Sequence, residues 1–335
     1  MLNVDRYAYA VGRIKVMETR LLDRDRIERM VEAKSAEEAL KVLSESEYSD
    51  YLAELADVHE YEKILSAELL RIYRELRLLS PEEKIIAFFA RKYDYHNLKV
   101  LFKAAHLKEQ RPELLLPGLG NIPLEELVRA VSENDFRNLP LRMQEAAQKL
   151  VAKFAEDGFD PQLVDLWLDQ ALYAELADDV RKRKNKYLRD YFTSLVDLTN
   201  IKTFLRVRRL QRSKNFLAAV LLPGGSLDLL TMLDLSDPLE VILDRLASTP
   251  YAQVVAEGVQ LFQQTDTLTR YEKLADNFLL ERVRQAKYVT LGPEPVIGYL
   301  LAKENEIKII RIVLTGKINR LPVEEIRERL RDVYV

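Results

Sequence analysis

The sequence predicts an all-α protein, and three observations lead to that prediction. The first is composition: of 335 residues, 48% are hydrophobic and 31% charged, whereas glycine and proline occur only 10 and 12 times. Leu, Ala, Glu, Arg and Lys, which favour helices, are abundant. The second is a helical spacing of apolar residues with recognisable helix starts, and the third is a long internal repeat. Alternation with a period of two is nowhere sustained, so we expect no sheet.

Two helix starts can be located from capping residues. Ser35 followed by Glu38 has the spacing of a capping box, in which the two side chains bond backbone amides at the start of the helix. Asp160 followed by Pro161 places an N-cap before a proline at the first helical position. Between these starts, apolar residues three and four positions apart predict a long amphipathic helix: Ile64, Leu65, Leu69, Ile72 and Leu76.

A repeat of about 105 residues runs through the chain. Its clearest mark is an asparagine followed closely by an aliphatic residue and a lysine, at Asn97, Asn200 and Asn305. These asparagines are 103 and then 105 positions apart. An asparagine within a helix normally lowers helix stability, because its side chain competes for backbone hydrogen bonds. Its recurrence at equivalent points therefore predicts one fixed hydrogen bond per unit, to the adjacent turn.

The repeat divides the chain into three helical units, the first circularly offset against the chain start. The predicted units cover residues 1–108, 109–212 and 213–335. Three such units can stack in a row or close into a ring. We favour closure into a funnel, because closure buries the end faces that an open stack must cap.

Turns containing proline and glycine follow the asparagines and are candidate partner-docking sites. Proline and glycine end helices and leave backbone groups without helical partners, and neighbouring leucines are expected to add apolar surface. In a closed ring, equivalent turns lie at one height and form a rim. The candidate residues are Pro117, Gly118, Leu119 and Gly120 in the first turn, Pro223, Gly224 and Gly225 in the second, and Gly316 in the third. Alternatively, these leucines fold back onto the helices.

Composition also excludes several classes of function. The formal net charge is −3, so no overall positive field favours nucleic acid. Cysteine is absent, which excludes thiolate metal sites and cysteine nucleophiles and fits a cytoplasmic location. The best charge-free apolar run, residues 216–222, is far shorter than the roughly 20 residues that a membrane-spanning helix needs. We therefore expect no direct membrane span.

No motif for catalysis or cofactor binding is found. The sequence lacks a G-x-x-x-x-G-K-[ST] phosphate loop, and its carboxylates are scattered along helical segments beside basic residues. His59, His96 and His106 do not have the spacing of zinc ligands. We predict no catalytic residue, no cofactor and no metal site, and an enzyme is the least favoured of the functions considered.

Residues 181–186 form the sharpest cluster of positive charge, with the sequence Arg-Lys-Arg-Lys-Asn-Lys. The cluster is open to two interpretations. It contacts phosphate or anionic lipid, or it is a solvated helix end, where cations are favoured by the helix dipole. Asp178, Asp179 and Asp190 flank the cluster and favour the second interpretation.

The repeated segments resemble a known family. The segments 93–103 and 114–118 look like the N-L-K-x-L-[FL]-[KR] … L-x-P-G pattern of the C subunit of V/A-type rotary ATPases, which is related to the eukaryotic d subunit. Segment 188–202 is similar to the second copy of that pattern, and segment 298–311 with Leu321-Pro322 resembles its C-terminal end. The resemblance covers nearly the whole chain.

The resemblance implies a three-fold pseudo-symmetric helical funnel that is peripheral on the cytoplasmic face of the membrane. It further implies two partners, the central shaft subunits and the membrane proteolipid rotor ring, with torque transmitted between them. It implies no catalysis and no cofactor, and it leaves the transported ion, proton or sodium, open. The alternative is a helical scaffold or adaptor unrelated to ATPases.

Overall fold

The computed structural model describes residues 4–335 except 54, 110 and 266. Every regular element in these residues is helical, which confirms the all-α prediction. The α-helices are α1 (Ala8–Glu18), α2 (Arg24–Glu32), α3 (Ala36–Val42), α4 (Ser49–Leu52), α5 (Tyr61–Leu79), α6 (Glu83–Leu107), α7 (Leu124–Glu133), α8 (Leu141–Asp157), α9 (Pro161–Lys182), α10 (Lys186–Arg209), α11 (Lys214–Val220), α12 (Leu229–Met232), α13 (Leu239–Leu246), α14 (Ala252–Thr265), α15 (Thr269–Arg284), α16 (Glu294–Ile318) and α17 (Val323–Arg329). Short 3-10 helices cover Val4–Tyr7, Leu43–Glu45, Val58–Glu60, Pro112–Leu114 and Gln285–Tyr288.

The chain folds into two compact units. The first unit combines Met1–Ile86 with Leu243–Val335, and the second is Ala87–Ile242. The predicted repeats at 1–108, 109–212 and 213–335 describe internal similarity rather than compactness. That division stays a prediction, and so does closure into a funnel.

In the first unit, α16 lies at the centre of the core. Its buried residues cover nearly its whole length, and α1, α2, α3, α5, α15 and α17 pack around it. A helix with apolar residues around most of its circumference is stable only within such a shell. A cluster of buried residues joins α16 to the N-terminal helices through residues such as Met30, Leu43, Ile64, Ile310 and Val313.

The predicted helix starts are present. The Ser35 hydroxyl accepts a hydrogen bond from the Glu38 amide at 3.3 Å, and the Glu38 carboxylate accepts one from the Lys34 amide at 2.9 Å. Helix α9 begins at Pro161, and the Asp160 carboxylate caps it through the Gln162 amide at 2.8 Å. The predicted apolar stripe lies in α5, where four of its five members are buried: Ile64, Leu65, Ile72 and Leu76.

In the second unit, a ladder of ion pairs joins α6 to α9 and shows that the two helices are antiparallel. The pairs are Arg91–Glu175 at 2.9 Å, Lys99–Asp169 at 2.6 Å and Lys103–Asp165 at 2.7 Å. Partly exposed pairs of this kind contribute up to about 1 kcal/mol each, so their main effect is to fix register. α8 and α10 also pack on α9, and α10 carries α11 and α12.

Candidate partner-docking site

The first predicted docking turn is held by two buried side chains of α6. Asn97, which is 2% exposed, donates from Nδ2 to the Leu116 carbonyl at 3.2 Å and accepts from the Leu116 amide at 2.8 Å. One helical turn earlier, Asp94 Oδ1 accepts from the amides of Asn121 and Ile122 at 2.7 and 2.9 Å. The two side chains therefore fix both ends of the turn, and the expected hydrogen bond at Asn97 is present.

The second turn is held in the same way by α10. Asn200 donates to the Leu222 carbonyl and accepts from the Leu222 amide, both at 2.8 Å. Asp197 Oδ1 accepts from the amides of Ser226 and Leu227 at 2.7 and 3.1 Å, and the Ser226 hydroxyl donates to Oδ2 at 2.6 Å. An Asp-x-x-Asn sequence on a buried helix face thus satisfies backbone groups that a turn otherwise leaves unpaired.

Glycine is required where the turns meet their anchoring side chains. A Cβ on Gly120 would overlap the Asp94 carboxylate, and a Cβ on Gly225 would overlap that of Asp197. Gly224 has φ +104° and lies so close to Phe192 that a Cβ would be 2.7 Å from its ring. These contacts allow the backbone of each turn to lie directly against its helix.

Five of the predicted docking residues are exposed: Pro117, Gly118, Pro223, Gly224 and Gly225. The expectation that Leu119 adds exposed apolar surface is wrong, because Leu119 is 2% exposed and Gly120 is also buried. The reason is the anchor at Asp94, which draws the chain onto α6 immediately after the exposed Gly118. At Leu119 the alternative of a leucine folded back onto the helices is the correct one.

The third predicted turn does not exist at Gly316. That residue lies inside α16 and is buried, and a Cβ there would be 2.7 Å from Ile326 of α17. Asn305 instead donates to the carbonyl of Asp332, near the C-terminal end, at 2.9 Å. Residue 302, three positions before Asn305, is an alanine, so the aspartate half of the anchor is missing.

The basic cluster lies at the junction of α9 and α10 and is largely paired. Arg183 contacts Asp179 at 2.7 Å, Lys186 contacts Asp190 at 2.5 Å, and Arg181 hydrogen-bonds Asp178. Asn185 caps α10 by accepting from the Leu188 amide at 2.7 Å. This pairing agrees with the interpretation of the cluster as a helix end.

Sequence reasoning missed a buried group of charges in the first unit. Lys303, 1% exposed, contacts Glu306 at 2.8 Å and Glu68 at 3.2 Å. Glu306 also accepts from the Tyr48 hydroxyl at 2.8 Å and the Leu22 amide at 2.5 Å. Burial would lower the pKa of Lys303, but the nearby carboxylates, Glu306 first, outweigh it and raise that pKa above its ordinary value.

A signal for this group was present in the sequence. Tyr299, Lys303 and Ile307 are spaced four apart on α16, so the lysine stands in an apolar stripe, where a charge requires a partner. The partner Glu68 similarly interrupts the apolar face of α5. The chain separation between the two helices explains why the pairing itself could not be read from the sequence.

Two of the three histidines, His96 and His106, have structural partners. His96 Nε2 lies 2.8 Å from the Leu114 carbonyl, and the His106 ring stacks on Phe159 at 4.7 Å between centroids. No group of three metal-ligating side chains occurs among the described residues. Within those residues, too, no helix has the length and apolar character needed to cross a bilayer.

Comparison with known proteins identifies the class and then the family. The model of the family described as "ATP synthase (C/AC39) subunit" matches residues 10–329. The chain belongs to this family of ATP synthase subunits, which confirms the resemblance drawn from the repeats.

Individual relatives align along most of their length. The chain is 28% identical to the C subunit of the A-type ATP synthase of Methanocaldococcus jannaschii, with 97% of this chain and 86% of the relative covered. It is 27% identical to the C subunit of the V-type sodium ATPase of Enterococcus hirae, with 96% and 97% covered. For the C subunit of the A-type ATP synthase of Pyrococcus furiosus, the identity is 27% and the coverage 98% and 90%.

Proposed function

We propose that the chain is a non-catalytic central-stalk subunit of a V/A-type rotary ATPase, a socket that couples the rotating shaft to the membrane proteolipid ring. The family match over residues 10–329 carries the proposal. Relatives that bear the name of the C subunit align along nearly their whole length, so the role of a whole subunit is transferred rather than that of one module. In this role the chain is held at the cytoplasmic face of the membrane through the complex.

The anchored turns support a mechanical role. A part that transmits torque has to resist deformation where it meets its partners. The exposed turns at Pro117–Gly118 and Pro223–Gly225 are each fixed by four backbone hydrogen bonds from an Asp-x-x-Asn pair. Such a turn presents a rigid surface, because its backbone cannot move without breaking several of these partly buried hydrogen bonds at once.

Co-purification tests the proposal directly. An affinity-tagged chain, expressed in its source cells and captured from detergent-solubilised membranes, is expected to bring down the shaft and proteolipid subunits of the ATPase. Complexes reassembled without the chain are expected to hydrolyse ATP without moving ions. Capture of the chain with neither partner, or full coupling in its absence, would overturn the proposal.

Charge substitution tests whether the turns are the contact surface. Leu119 and Gly316 are buried, so a charge at either would test folding rather than docking. The exposed prolines are better positions: Pro117→Asp and Pro223→Asp are expected to weaken binding of the shaft or the ring at least about tenfold without lowering the melting temperature. Pro161→Asp is the matched control, since Pro161 is exposed at a helix start where an aspartate is favoured.

A further inference from the structure

A cleft of about 500 Å³ opens beside the second turn, within the second unit. Its floor is apolar and comes from α9 and α10, and one wall is the turn itself. The floor residues are Ala174, Ala177, Val180 and Phe192, and the wall residues are Pro223, Gly224 and Gly225. Three arginines and one aspartate complete the charged edge: Arg142, Arg181, Arg189 and Asp178.

The charged edge carries more positive than negative charge. Asp178 is shared, with Arg142 at 3.1 Å from one carboxylate oxygen and Arg181 hydrogen-bonded to the other. Hydrogen bonds from Arg142 and Arg181 lower the pKa of Asp178, so it is ionised at neutral pH. Arg189 is exposed, and the structure records no carboxylate partner for it in the described part of the chain.

Neighbouring acids neutralise only part of this excess, because Glu145 lies 4.0 Å from Arg142 and the other acids nearby are bound elsewhere. Asp179 is bound by Arg183 at 2.7 Å and Arg91 at 3.3 Å, and Asp190 is bound by Lys186 at 2.5 Å. The cleft is therefore a local positive site on a chain whose formal net charge is −3. A site of this kind attracts and orients an anionic partner.

We infer that this cleft binds an acidic segment of a partner protein, with a carboxylate held by Arg181 and Arg189 and an adjacent apolar side chain packed against Ala174 and Pro223. The inference rests on the proposed function, which makes the second turn a docking element. It adds the chemistry of the partner to that function and gives the 181–189 segment a role beyond ending a helix.

The surroundings favour a protein segment over phosphate or lipid. Guanidinium groups bind carboxylates with two parallel hydrogen bonds, and the apolar floor offers area that inorganic phosphate does not use. The turn amides of Ser226 and Leu227, which could otherwise cradle phosphate, already donate to Asp197. The cleft is also a recess, whereas headgroups of a bilayer require an open face.

The test uses the full-length chain and three labelled helical peptides that differ only at two positions, which carry glutamate, glutamine or lysine beside a leucine. By fluorescence anisotropy, the glutamate peptide is expected to bind at least about tenfold more tightly than the glutamine peptide, with affinity falling as salt rises. The lysine peptide is expected not to bind. Arg189→Gln, alone and with Arg181→Gln, is expected to weaken binding of the glutamate peptide about tenfold.

Arg129→Gln is the matched control, because Arg129 is exposed on α7 outside the cleft. The exposed Arg189 side chain has no carboxylate partner among the described residues, so its substitution should leave the melting temperature unchanged, and a loss of binding is then not a loss of folding. Equal affinity for the glutamate and glutamine peptides, or unchanged binding in the Arg189 variants, would overturn the inference. Inorganic phosphate that displaces the peptide stoichiometrically, or Arg189-dependent binding to phosphatidylglycerol vesicles, would reassign the cleft and overturn it as well.

Failure of this inference can be told apart from failure of the proposed function. If the chain co-purifies with shaft and ring subunits but does not select the glutamate peptide, the cleft is not the acidic site and the socket role stands. If the peptide is selected but the ATPase subunits do not co-purify, the cleft binds an acidic segment of some other assembly.

Discussion

Asn97 and Asn200 each pair a buried amide with both hydrogen-bonding groups of one peptide unit. Replacement by alanine leaves the amide and carbonyl of Leu116 or Leu222 without these partners. We expect Asn97→Ala and Asn200→Ala each to lower the free energy of unfolding by about 1–3 kcal/mol, measured by denaturant melts. Asn215→Ala, at an exposed position in α11, serves as the control and should change stability little. Unchanged melting together with lost assembly would instead identify the asparagines as partner contacts.

Lys303 provides a second test at the residue scale. Lys303→Met removes the recorded cationic partner of Glu306 and one partner of Glu68 inside the first unit. Removing one member of a buried charged group typically destabilises a protein by about 3–5 kcal/mol, and we expect a loss of that order in chemical denaturation. The double variant Lys303→Met/Glu306→Gln should recover part of it, because no uncompensated carboxylate then remains at position 306. If the double variant is less stable than Lys303→Met alone, this account is wrong.

The pH dependence of that difference follows from the direction of the shift. The pKa of Lys303 is raised in the folded chain above its ordinary value of 10.5, so its contribution is complete below that value. The contribution is lost as pH rises through the folded pKa. The stability difference between wild type and Lys303→Met is therefore expected to stay flat from about pH 6 to 9 and to shrink above about pH 10. If the stability difference between wild type and Lys303→Met grows at alkaline pH, the predicted direction is wrong.

At the scale of an element, each turn depends on one aspartate and one glycine together. We expect Gly120→Ala and Gly225→Ala to destabilise the chain, since the new methyl group meets a carboxylate that is already bonded to two backbone amides. In contrast, Gly12→Ala should stabilise α1 by about 0.5–1 kcal/mol, because Gly12 is exposed in a helix with open space beyond it. Thermal melts of the three variants measure these changes in stability, a loss for Gly120→Ala and Gly225→Ala and a gain for Gly12→Ala.

A double-mutant cycle separates the collision from a general effect on the turn. In Asp94→Ala/Gly120→Ala the carboxylate that the methyl group meets is gone, so the combined loss should be smaller than the sum of the single losses. Simple additivity would mean that the glycine serves the turn in a way that does not involve Asp94.

The elements also show how far sequence reasoning extends. Capping at Ser35 and Asp160 and the apolar stripe of α5 depend on neighbours in the sequence, and the predictions made from them were confirmed. The burial of Leu119 depends on Asp94, which lies earlier in the chain on α6, and Gly316 packs closely against Ile326 of the next helix; neither contact can be read from the local pattern. A glycine near an expected turn looks the same in a sequence whether it ends a helix or admits a neighbouring helix.

At the scale of the whole molecule, the family and the all-α class could be predicted because a long repeat adds weak local signals over nearly the whole chain. The aspartate of each Asp-x-x-Asn pair, which fixes one end of its turn, was harder to recognise from the sequence. Asp94 and Asp197 precede their asparagines by three positions, but the third copy has Ala302, so the pattern is incomplete. The excess charge beside Pro223–Gly225 also combines α8, α9 and α10, a grouping set by packing rather than by order in the chain.

The isolated chain is expected to have no ATPase activity and to bind no nucleotide tightly. The reason is the missing phosphate loop: nothing in the sequence offers the backbone cradle that nucleotide phosphates require. Calorimetry with ATP and magnesium, and a phosphate-release assay, are the measurements. Micromolar binding would contradict the expectation, and the intact rotary complex provides the positive control for the assay.

The burial of Lys303 has a practical consequence for anyone watching this chain move. Amine-reactive reagents acylate exposed lysines within seconds to minutes, but a side chain that is 1% exposed and held between carboxylates is shielded until α5 and α16 separate. The rate of modification at Lys303, followed by mass spectrometry, therefore measures how often the first unit opens. Measured in the assembled complex during ATP turnover, the rate of Lys303 modification would show whether turnover increases the opening of the core between α5 and α16.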